Sequence, residues 1–181
     1  EEHLDYYKSI KVLKNKFIEF IEKTPSFGKC FICLDDINNK KIIKKIKNKN
    51  FQTYGIDNNS NFKIYNIKQD YNFSKFDVKI SIPGKKNKFI KSIKIPMIGI
   101  HNIRNATASI AVAFTIGISD NFIKKGLKNF KGVQRRFNFI FKHHDSLFFD
   151  DYAHHPTEIK EVLNSVKTVY KNSEIICVFQ P

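Results

Sequence analysis

The spacing of apolar residues changes from helical to alternating along the chain. Helical spacing predicts an amphipathic helix over about 5–23, with an apolar stripe formed by Ile10, Leu13, Phe17, Phe20 and Ile21. A short apolar run at about 29–35 predicts a strand, and a Lys-rich stretch at about 37–48 predicts a second helix. Phe51 to Ile56 predicts another strand. This alternation of helix and strand favours an α/β fold.

Short β-type runs fill the stretch from about 62 to 95. They begin at Phe62-Lys63-Ile64-Tyr65 and continue at about 76–82 and 89–95. The last two runs are separated by Pro83-Gly84-Lys85-Lys86-Asn87-Lys88, whose composition predicts a hairpin loop. The pattern therefore predicts a β-meander or a sheet edge.

After Pro96 the pattern becomes helical again and then restarts. Small and apolar residues predict a closely packed helix that continues to about Gly117, and Ser119 is a suitable N-cap for the next helix. The remaining predicted elements are a helix at about 120–130, strands at 136–142 and 147–151, a helix at 156–170 and a strand at 174–179. We place a domain boundary near residue 134, which divides the chain into 1–134 and 135–181.

The positive net charge alone suggests an anionic partner such as a nucleic acid, but the kinds of basic residue in the chain argue against dedicated nucleic-acid binding. The net charge is +15, from 32 Lys and Arg against 17 Asp and Glu. Most of the basic residues are Lys spread among Asn and Ile, whereas readers of phosphates and bases concentrate Arg. We predict no dedicated nucleic-acid binding, and a Lys-rich nucleic-acid-binding module remains the alternative from another functional class. Arg135 and Arg136 stand out because they are adjacent in an Arg-poor chain.

The sequence also indicates where the protein works. No apolar run approaches the roughly 18 residues that span a bilayer, and no signal-peptide pattern opens the chain. We therefore expect no membrane insertion and a cytoplasmic location. Cys30 and Cys33 have the spacing of metal and redox sites, but on a strand they face opposite sides, which favours buried strand cysteines in a reducing compartment. Because the chain starts at Glu1 and its single Met is Met97, we expect a piece of a longer protein.

The segment from Asp150 to Glu158 is the richest candidate for chemistry. It places two carboxylates, a phenol and two imidazoles at a strand-to-helix junction, where exposed N–H groups favour anions. A polar loop in which Pro156 opens the helix is the structural alternative. Adjacent His154 and His155 cannot easily ligate one metal ion. We favour the binding of a polar or phosphorylated substrate.

Three further groups of residues are weaker candidates. In His101-Asn102-x-x-Asn105-Ala106, an Asn side chain both donates and accepts, which matches the edge of adenine, but Asn102 is equally suited to an N-cap. Arg135-Arg136 is placed either to reach a transferring phosphoryl group or to form a surface pair. Glu1-Glu2-His3-Leu4-Asp5 is by itself only an acidic terminus.

In their order and spacing these groups resemble segments of the Mur ligases of bacterial cell-wall synthesis, over the whole chain. Near the start, Glu2-His3-Leu4-Asp5 resembles the family's D/E-H-L-D segment, and further along, His101-Asn102-x-x-Asn105-Ala106 resembles its H-N-x-x-N-A helix start. Gly132-Val133-x-Arg135-Arg136-Phe137 resembles its G-x-x-R-R-F junction. The segment from Asp150 to Ile159 is the most specific match, and Phe179-Gln180-Pro181 resembles the start of the next strand-end segment.

The resemblance implies both a fold and a reaction. It implies the later half of a central ATPase domain, with helices and a mixed sheet, at 1–134 and the start of a Rossmann-like amino-acid-binding domain at 135–181. The implied reaction is ATP-dependent amide formation through an acyl phosphate, with ATP and Mg²⁺ as cofactors and UDP-N-acetylmuramate and L-alanine as substrates. Tyr152 favours L-alanine, and family members that add a tripeptide in recycling remain the alternative.

The resemblance also implies roles for the first two groups of residues. His3 resembles a ligand, direct or through water, of a Mg²⁺ among the phosphates. His101 and Asn105 resemble adenine contacts, and Asn102 supports the turn.

The roles implied for the later part of the chain include the catalytic ones. Arg136 resembles the residue that reaches the ATP phosphates, where positive charge neutralises the transferring group. Asp151 resembles the acid on the ATP ribose. Tyr152, His154 and His155 would face the amino-acid and nucleotide-sugar side, and His154 is our hypothesis for a base that assists the amine.

One departure from the family limits what we expect of this chain. The family's phosphate-cradling G-x-x-G-K-[ST] loop is absent, because Gly28-Lys29 and Gly84-Lys85 lack the upstream Gly and the following Ser or Thr. We therefore expect that the chain cannot complete the reaction alone. We also expect exposed apolar sheet edges and poor solubility.

Overall fold

The fold described here comes from a computed structural model, which describes residues 4–48 and 50–180. His3, the predicted Mg²⁺ ligand, lies outside the described residues. The elements in chain order are α1 (Leu4–Tyr7), α2 (Ile10–Glu22), β1 (Cys30–Cys33), α3 (Ile37–Ile43), β2 (Phe51–Gly55), β3 (Phe62–Asp70), β4 (Phe73–Ile80), β5 (Lys88–Ile95), α4 (Ile100–Thr115), α5 (Asp120–Asn129), β6 (Asn138–His143), β7 (Ser146–Asp150) and α6 (Pro156–Val169).

A five-stranded mixed sheet in the order β1-β2-β3-β4-β5 organises the first part of the chain. β1, β2 and β3 pair in parallel, whereas β3, β4 and β5 pair antiparallel as a meander. The predicted meander, its hairpin loop and the mixed α/β architecture are confirmed. β6 and β7 form a separate two-stranded hairpin.

The core lies between this sheet and α4. Phe62, Phe76 and Ile93 of the sheet are fully buried. They share one apolar cluster with Ile103 and Ile110 of α4. Several neighbouring residues of α4 are alanines, so the helix lies close to the strands, and apolar burial of this kind is the main force that holds it there.

Two predicted helices differ from the observed ones in their bounds. The helix predicted over 5–23 is two helices, because Lys8 adopts a left-handed φ of 59° and Ser9 starts α2 as an N-cap that accepts from Val12 N at 3.3 Å. The helix predicted to residue 48 ends at Ile43.

The strand predicted at 174–179 does not form. Ile176 and Val178 are 80% and 94% exposed. A strand needs a hydrogen-bonding neighbour, and within 4–48 and 50–180 the nearby strands β6 and β7 pair only with each other. The apolar alternation at 174–179 therefore has no sheet to join.

Two contacts hold the second part of the chain, from residue 130 to the end of α6, against the first part, from α1 to α5. The Tyr170 hydroxyl donates to Tyr71 O at 3.1 Å, and the two rings meet edge to face. At the start of α4, a Cβ on Gly99 would lie 2.7 Å from Ser165 Oγ of α6, so the two helices approach closely there. The hairpin β6–β7 keeps Phe139, Ile140 and Phe148 exposed, as the sequence predicts for its apolar edges. None of the described helices is long and apolar enough to cross a membrane.

Candidate functional site

A cleft of about 370 Å³ lies between the two parts of the chain. The first part contributes the β3–β4 turn, with Tyr71, and the start of α4, with Asn102. The second part contributes the junction after α5, with Arg136 and Phe137, and Phe149 of β7. Of the predicted site residues, Asn102 and Arg136 line this cleft, whereas His101, Asn105 and Asp151 are not among its lining residues. A site shared by two packed parts is a common place for a ligand.

The start of α4 is fixed by backbone geometry and by Asn102. Gly99, with a φ of 97°, is the N-cap, so the interpretation of Asn102 as the N-cap is wrong. Asn102 instead donates its side-chain Nδ2 to Ile98 O at 2.7 Å, and Gly99 N donates to Gln69 Oε1 at 2.6 Å. The first turn of the helix is thereby fastened to the segment before it and to β3.

His101 is a largely buried imidazole between α4 and α6. Its Nδ1 is buried and has no hydrogen-bond partner among the residues that the structure describes. Burial lowers the pKa of His101 below its ordinary value, against the opposing effect of Glu161 and Asp151. The ring is therefore neutral at pH 7, with one nitrogen able to accept. Asn105, one turn further along α4, is exposed.

Asp151 fastens the junction to the loop after β7. Its Oδ2 accepts from Phe137 N at 2.8 Å, and its Oδ1 accepts from Ala153 N at 2.7 Å. Tyr152 N donates to Arg135 O at 2.8 Å across the same seam. Arg135 and Phe137 both have left-handed φ values, of 58° and 51°. Each carboxylate oxygen of Asp151 accepts one backbone N–H and retains capacity for another donor.

The two adjacent arginines have different surroundings. Arg135 lies over the Tyr152 ring, 4.7 Å from its centroid. Arg136 Nη1 lies 3.7 Å from Glu158 Oε1, and its side chain is 53% exposed. At that distance and exposure the Glu158 contact is weak, so the Arg136 guanidinium can take up an anion in the cleft.

Tyr152, His154 and His155 lie in the segment just before α6 and do not line the cleft. His155 is the N-cap, with its Nδ1 accepting from Thr157 N at 3.4 Å, and Pro156 is the first helical residue, as predicted. His154 Nδ1 lies 3.0 Å from Tyr152 O. An Nδ1–H donated to that carbonyl leaves Nε2 as the acceptor nitrogen.

Metal-ligating side chains do not cluster in the described part of the chain, and the strand cysteines are free thiols. No group of three or more His, Cys, Asp and Glu residues there is placed to hold a metal ion. Cys30 and Cys33 are free and half-buried on β1, in agreement with the prediction of strand cysteines. Burial raises the pKa of the Cys33 thiol, which disfavours the reactive thiolate.

Sequence reasoning missed a buried ion pair. Arg104 Nε donates to Asp35 Oδ2 at 2.7 Å, and the Asp35 side chain is only 9% exposed. The partners are 69 positions apart, so no local pattern joins them. The sequence feature that pointed to this pair was Arg104 itself, because it is the one Arg outside the adjacent Arg135 and Arg136.

Comparison with known families now identifies the fold. Residues 1–113 match the family described as Mur ligase middle domain, and residues 135–181 match the Mur ligase glutamate ligase domain. The chain belongs to the Mur ligase family. The family predicted from the sequence is confirmed, and the first match covers more than half of this Mur ligase chain.

Individual relatives agree with this assignment. The Mur ligase chain is 65% identical over 180 residues to the UDP-N-acetylmuramate–L-alanine ligase of Pelagibacter ubique, which covers 99% of this chain and 39% of that protein. It is 41% identical to the ligase of the same name from Brachyspira hyodysenteriae, over 99% of this chain and 38% of the relative. The chain thus spans about two fifths of these relatives.

A solved structure shows the same fold. The UDP-N-acetylmuramate-alanine ligase of Thermotoga maritima superimposes with a TM-score of 0.72 and 25% identity, over 94% of this chain and 37% of that one. The likeness to that structure therefore extends over both parts of the chain.

Proposed function

We propose that this chain is a segment of an ATP-dependent ligase that joins L-alanine to UDP-N-acetylmuramate through an acyl phosphate, in the synthesis of cell-wall precursors. The observation that supports it best is the cleft between the two parts, which Asn102 of α4 and Arg136 of the junction both line. The substrates follow from the name of the relative that is 65% identical. The location that goes with this proposal is the cytoplasm.

The adenosine end of ATP is assigned to the first turns of α4, beside the cleft that Asn102 lines. Neutral His101 and the exposed Asn105 supply acceptors and donors for the adenine edge, and Asn102 supports the turn through Ile98. Asp151 is assigned to the ribose, because its oxygens retain acceptor capacity beyond the two backbone N–H groups.

The phosphate end is assigned to Arg136. A carboxylate that attacks the γ-phosphate brings two anions together, so a guanidinium at the transferring group stabilises the charge. Mg²⁺ is assigned to His3, which lies outside the described residues. The proposal includes the expectation that this chain alone does not complete the reaction.

The amide-forming end is assigned to the start of α6. Tyr152 and His155 are proposed to face the amino acid and the nucleotide sugar. His154 is proposed as the base that takes a proton from the amine, since its Nε2 is left as the acceptor when Nδ1–H bonds Tyr152 O. His154 is the only one of the three whose role requires a change in protonation during the reaction.

A hybrid ligase tests the proposal directly. In this hybrid, the chain replaces the matching 180 residues of the Pelagibacter ubique ligase. We expect ATP-dependent phosphate release with L-alanine and little with the tripeptide. Preference for the tripeptide would instead support the recycling ligase, and inactivity of a folded hybrid would contradict the proposal.

Two substitutions in the hybrid test the roles assigned to Arg136 and His154. Arg136→Ala should lower kcat by roughly 10²–10³-fold, and His154→Ala by roughly 10²–10⁴-fold. Lys142→Ala on exposed β6 is the matched control and should leave kcat unchanged. Unchanged amide formation in His154→Ala would remove that residue from the mechanism. Tight, salt-sensitive DNA binding by the chain that is independent of Arg136 would favour the nucleic-acid alternative.

A further inference from the structure

One buried carboxylate joins three elements of the first part. Asp35 follows β1, and its Oδ1 accepts from Ile56 N at 2.9 Å and from Asp57 N at 3.0 Å, in the turn after β2. Its Oδ2 accepts from Arg104 Nε of α4 at 2.7 Å. The carboxylate therefore links the ends of β1 and β2 to the helix that carries the proposed adenine contacts.

The backbone at Gly55 passes very close to the Asp35 carboxylate. Gly55, with a φ of 146°, passes so close that a Cβ there would lie 2.6 Å from Asp35 Oδ1. A side chain at position 55 would therefore displace the carboxylate. The site of Asp35 is built by a glycine and two backbone donors, and Arg104 is the cation that compensates its charge.

Arg104 belongs to the same first turns of α4 as His101 and Asn105. His101 is three positions before Arg104 and is therefore its neighbour on the helix surface, and Asn105 is the next residue along the helix. The apolar face of α4 packs against the sheet and determines which side of the helix is buried. The short charge-assisted hydrogen bond from Arg104 adds a directional contact that restricts rotation of the first turns about the helix axis.

We infer that Asp35 and Arg104 form a positioning pair that restricts the rotation of the first turns of α4 and thereby helps to place His101 and Asn105 toward the adenine of ATP. The inference rests on the proposed function. Arg104 occupies one of the open positions of the H-N-x-x-N-A motif, so the motif itself does not assign it a role. Neither residue touches the nucleotide in this account. Both act through the helix.

The kinetic test uses the hybrid ligase and matched charge changes. Asp35→Asn and Arg104→Met should each raise KM for ATP roughly tenfold, with a much smaller change in kcat. The controls are Asp57→Asn and Lys40→Met, which break a 2.6 Å pair that joins α3 to the same turn without reaching α4. The controls should leave KM for ATP within about twofold.

Two further variants distinguish a pair from two separate effects. The double variant Asp35→Asn, Arg104→Met should raise KM no more than either single change, because both remove the same interaction. Arg104→Lys should recover part of the loss, since it retains the charge but not the Nε geometry. Additive single effects, or KM values equal to those of the controls, would overturn the inference.

A measurement without turnover keeps the inference separate from the proposed function. In the 181-residue chain, Asp35→Asn should shift the amide NMR resonances of His101 and Asn105 and speed their hydrogen exchange, whereas Asp57→Asn should not. Unchanged resonances in Asp35→Asn would overturn the inference even if the hybrid is active. An inactive hybrid with the expected shifts would contradict the proposed function and leave the positioning of α4 by the pair established.

Discussion

At the scale of single residues, the burial of His101 determines its charge as well as its position. The imidazole lies between α4 and α6 with a buried Nδ1 that has no hydrogen-bond partner among the described residues, and burial outweighs the opposing effect of Glu161 and Asp151 on its pKa. A neutral ring suits an adenine contact, because adenine offers both donors and acceptors but no charge.

The lowered pKa of His101 predicts how stability depends on pH. In the unfolded chain the group titrates near 6.5, whereas the folded protein holds its pKa lower. As pH falls below about 6.5, the unfolded state takes up a proton that the folded state does not, so stability decreases. We expect the free energy of unfolding, measured in urea, to fall between pH 7 and pH 5.

The variant His101→Gln should remove much of this pH dependence. The same substitution at His144, in the exposed turn between β6 and β7, is the control and should retain the slope. An NMR titration of the His101 ring protons checks the cause. A midpoint at or above 6.5 would contradict the prediction.

The structural role of a residue could be predicted from the sequence where that role depends on residues nearby in the chain. Pro156 opens α6 as predicted, and the loop from Asp150 to Glu158 stands at a strand-to-helix junction. The interpretation of Asn102 as an N-cap failed because Gly99, three positions earlier, takes the left-handed conformation. The pair Asp35–Arg104 could not be predicted, since only the packing of α4 on β1 and β2 brings those residues together.

At the scale of elements, the junction of α4 with α6 depends on a missing side chain. A Cβ at Gly99 would lie 2.6 Å from His101 Cε1 and 2.7 Å from Ser165 Oγ. Gly117, at the other end of α4, also has a left-handed φ, but no atom of the described residues lies within 4 Å of a Cβ there. The two glycines therefore separate backbone strain from a steric clash.

We expect Gly99→Ala to destabilise the chain more than Gly117→Ala. Both changes add left-handed strain of about 1–2 kcal/mol, and overpacking at Gly99 adds roughly 1–3 kcal/mol. Thermal unfolding of both variants measures the difference. Equal Tm values would show that α6 moves away from Gly99 without loss.

The meander carries like charges directly across its strands. Lys75 of β4 is opposite Lys68 of β3 on one side and Lys94 of β5 on the other. Facing like charges destabilise a sheet, while opposite charges stabilise it. The variant Lys75→Glu should therefore raise Tm by roughly 1–3 °C at low salt, and by less at high salt.

A control isolates the cross-strand effect from the change in net charge. Lys86→Glu makes the same reversal in the hairpin loop, where no strand residue lies opposite. A gain in Tm equal to that of Lys75→Glu would show that the overall charge, rather than the register, is responsible.

Elements with strong periodicity were predictable, and elements that depend on a neighbour were not. β1 to β5 and the longer helices lie close to their predicted places because each has enough apolar residues of its own. The strand at 174–179 has the right pattern but no hydrogen-bonding neighbour among the described strands. The break between α1 and α2 at Lys8 follows from a backbone angle that the apolar stripe does not reveal.

At the scale of the whole molecule, the cleft exists only because the two parts are packed together. Tyr71 lines it from the β3–β4 turn, and the Tyr170 hydroxyl holds that turn through Tyr71 O. Burial raises the pKa of Tyr170, so its hydroxyl remains a donor at neutral pH. The hydrogen bond thus connects the end of α6 to the wall of the proposed nucleotide site.

Removing that hydroxyl should loosen the wall without unfolding either part. Tyr170→Phe keeps the ring contact with Tyr71 but loses the hydrogen bond, whose net contribution is about 0.5–1.5 kcal/mol. Hydrogen exchange in the β3–β4 turn should therefore become several times faster. Tyr65→Phe on β3 is the matched control and should leave the exchange unchanged.

ATP provides the second half of this test. A ligand that binds between two packed parts stabilises their contact. If ATP occupies the cleft of the hybrid ligase, it should slow exchange in the β3–β4 turn, and Tyr170→Phe should need more ATP for the same protection. Protection of the turn that is equal in both proteins would show that the Tyr170 contact is independent of the nucleotide. Absence of any protection by ATP would place the nucleotide elsewhere.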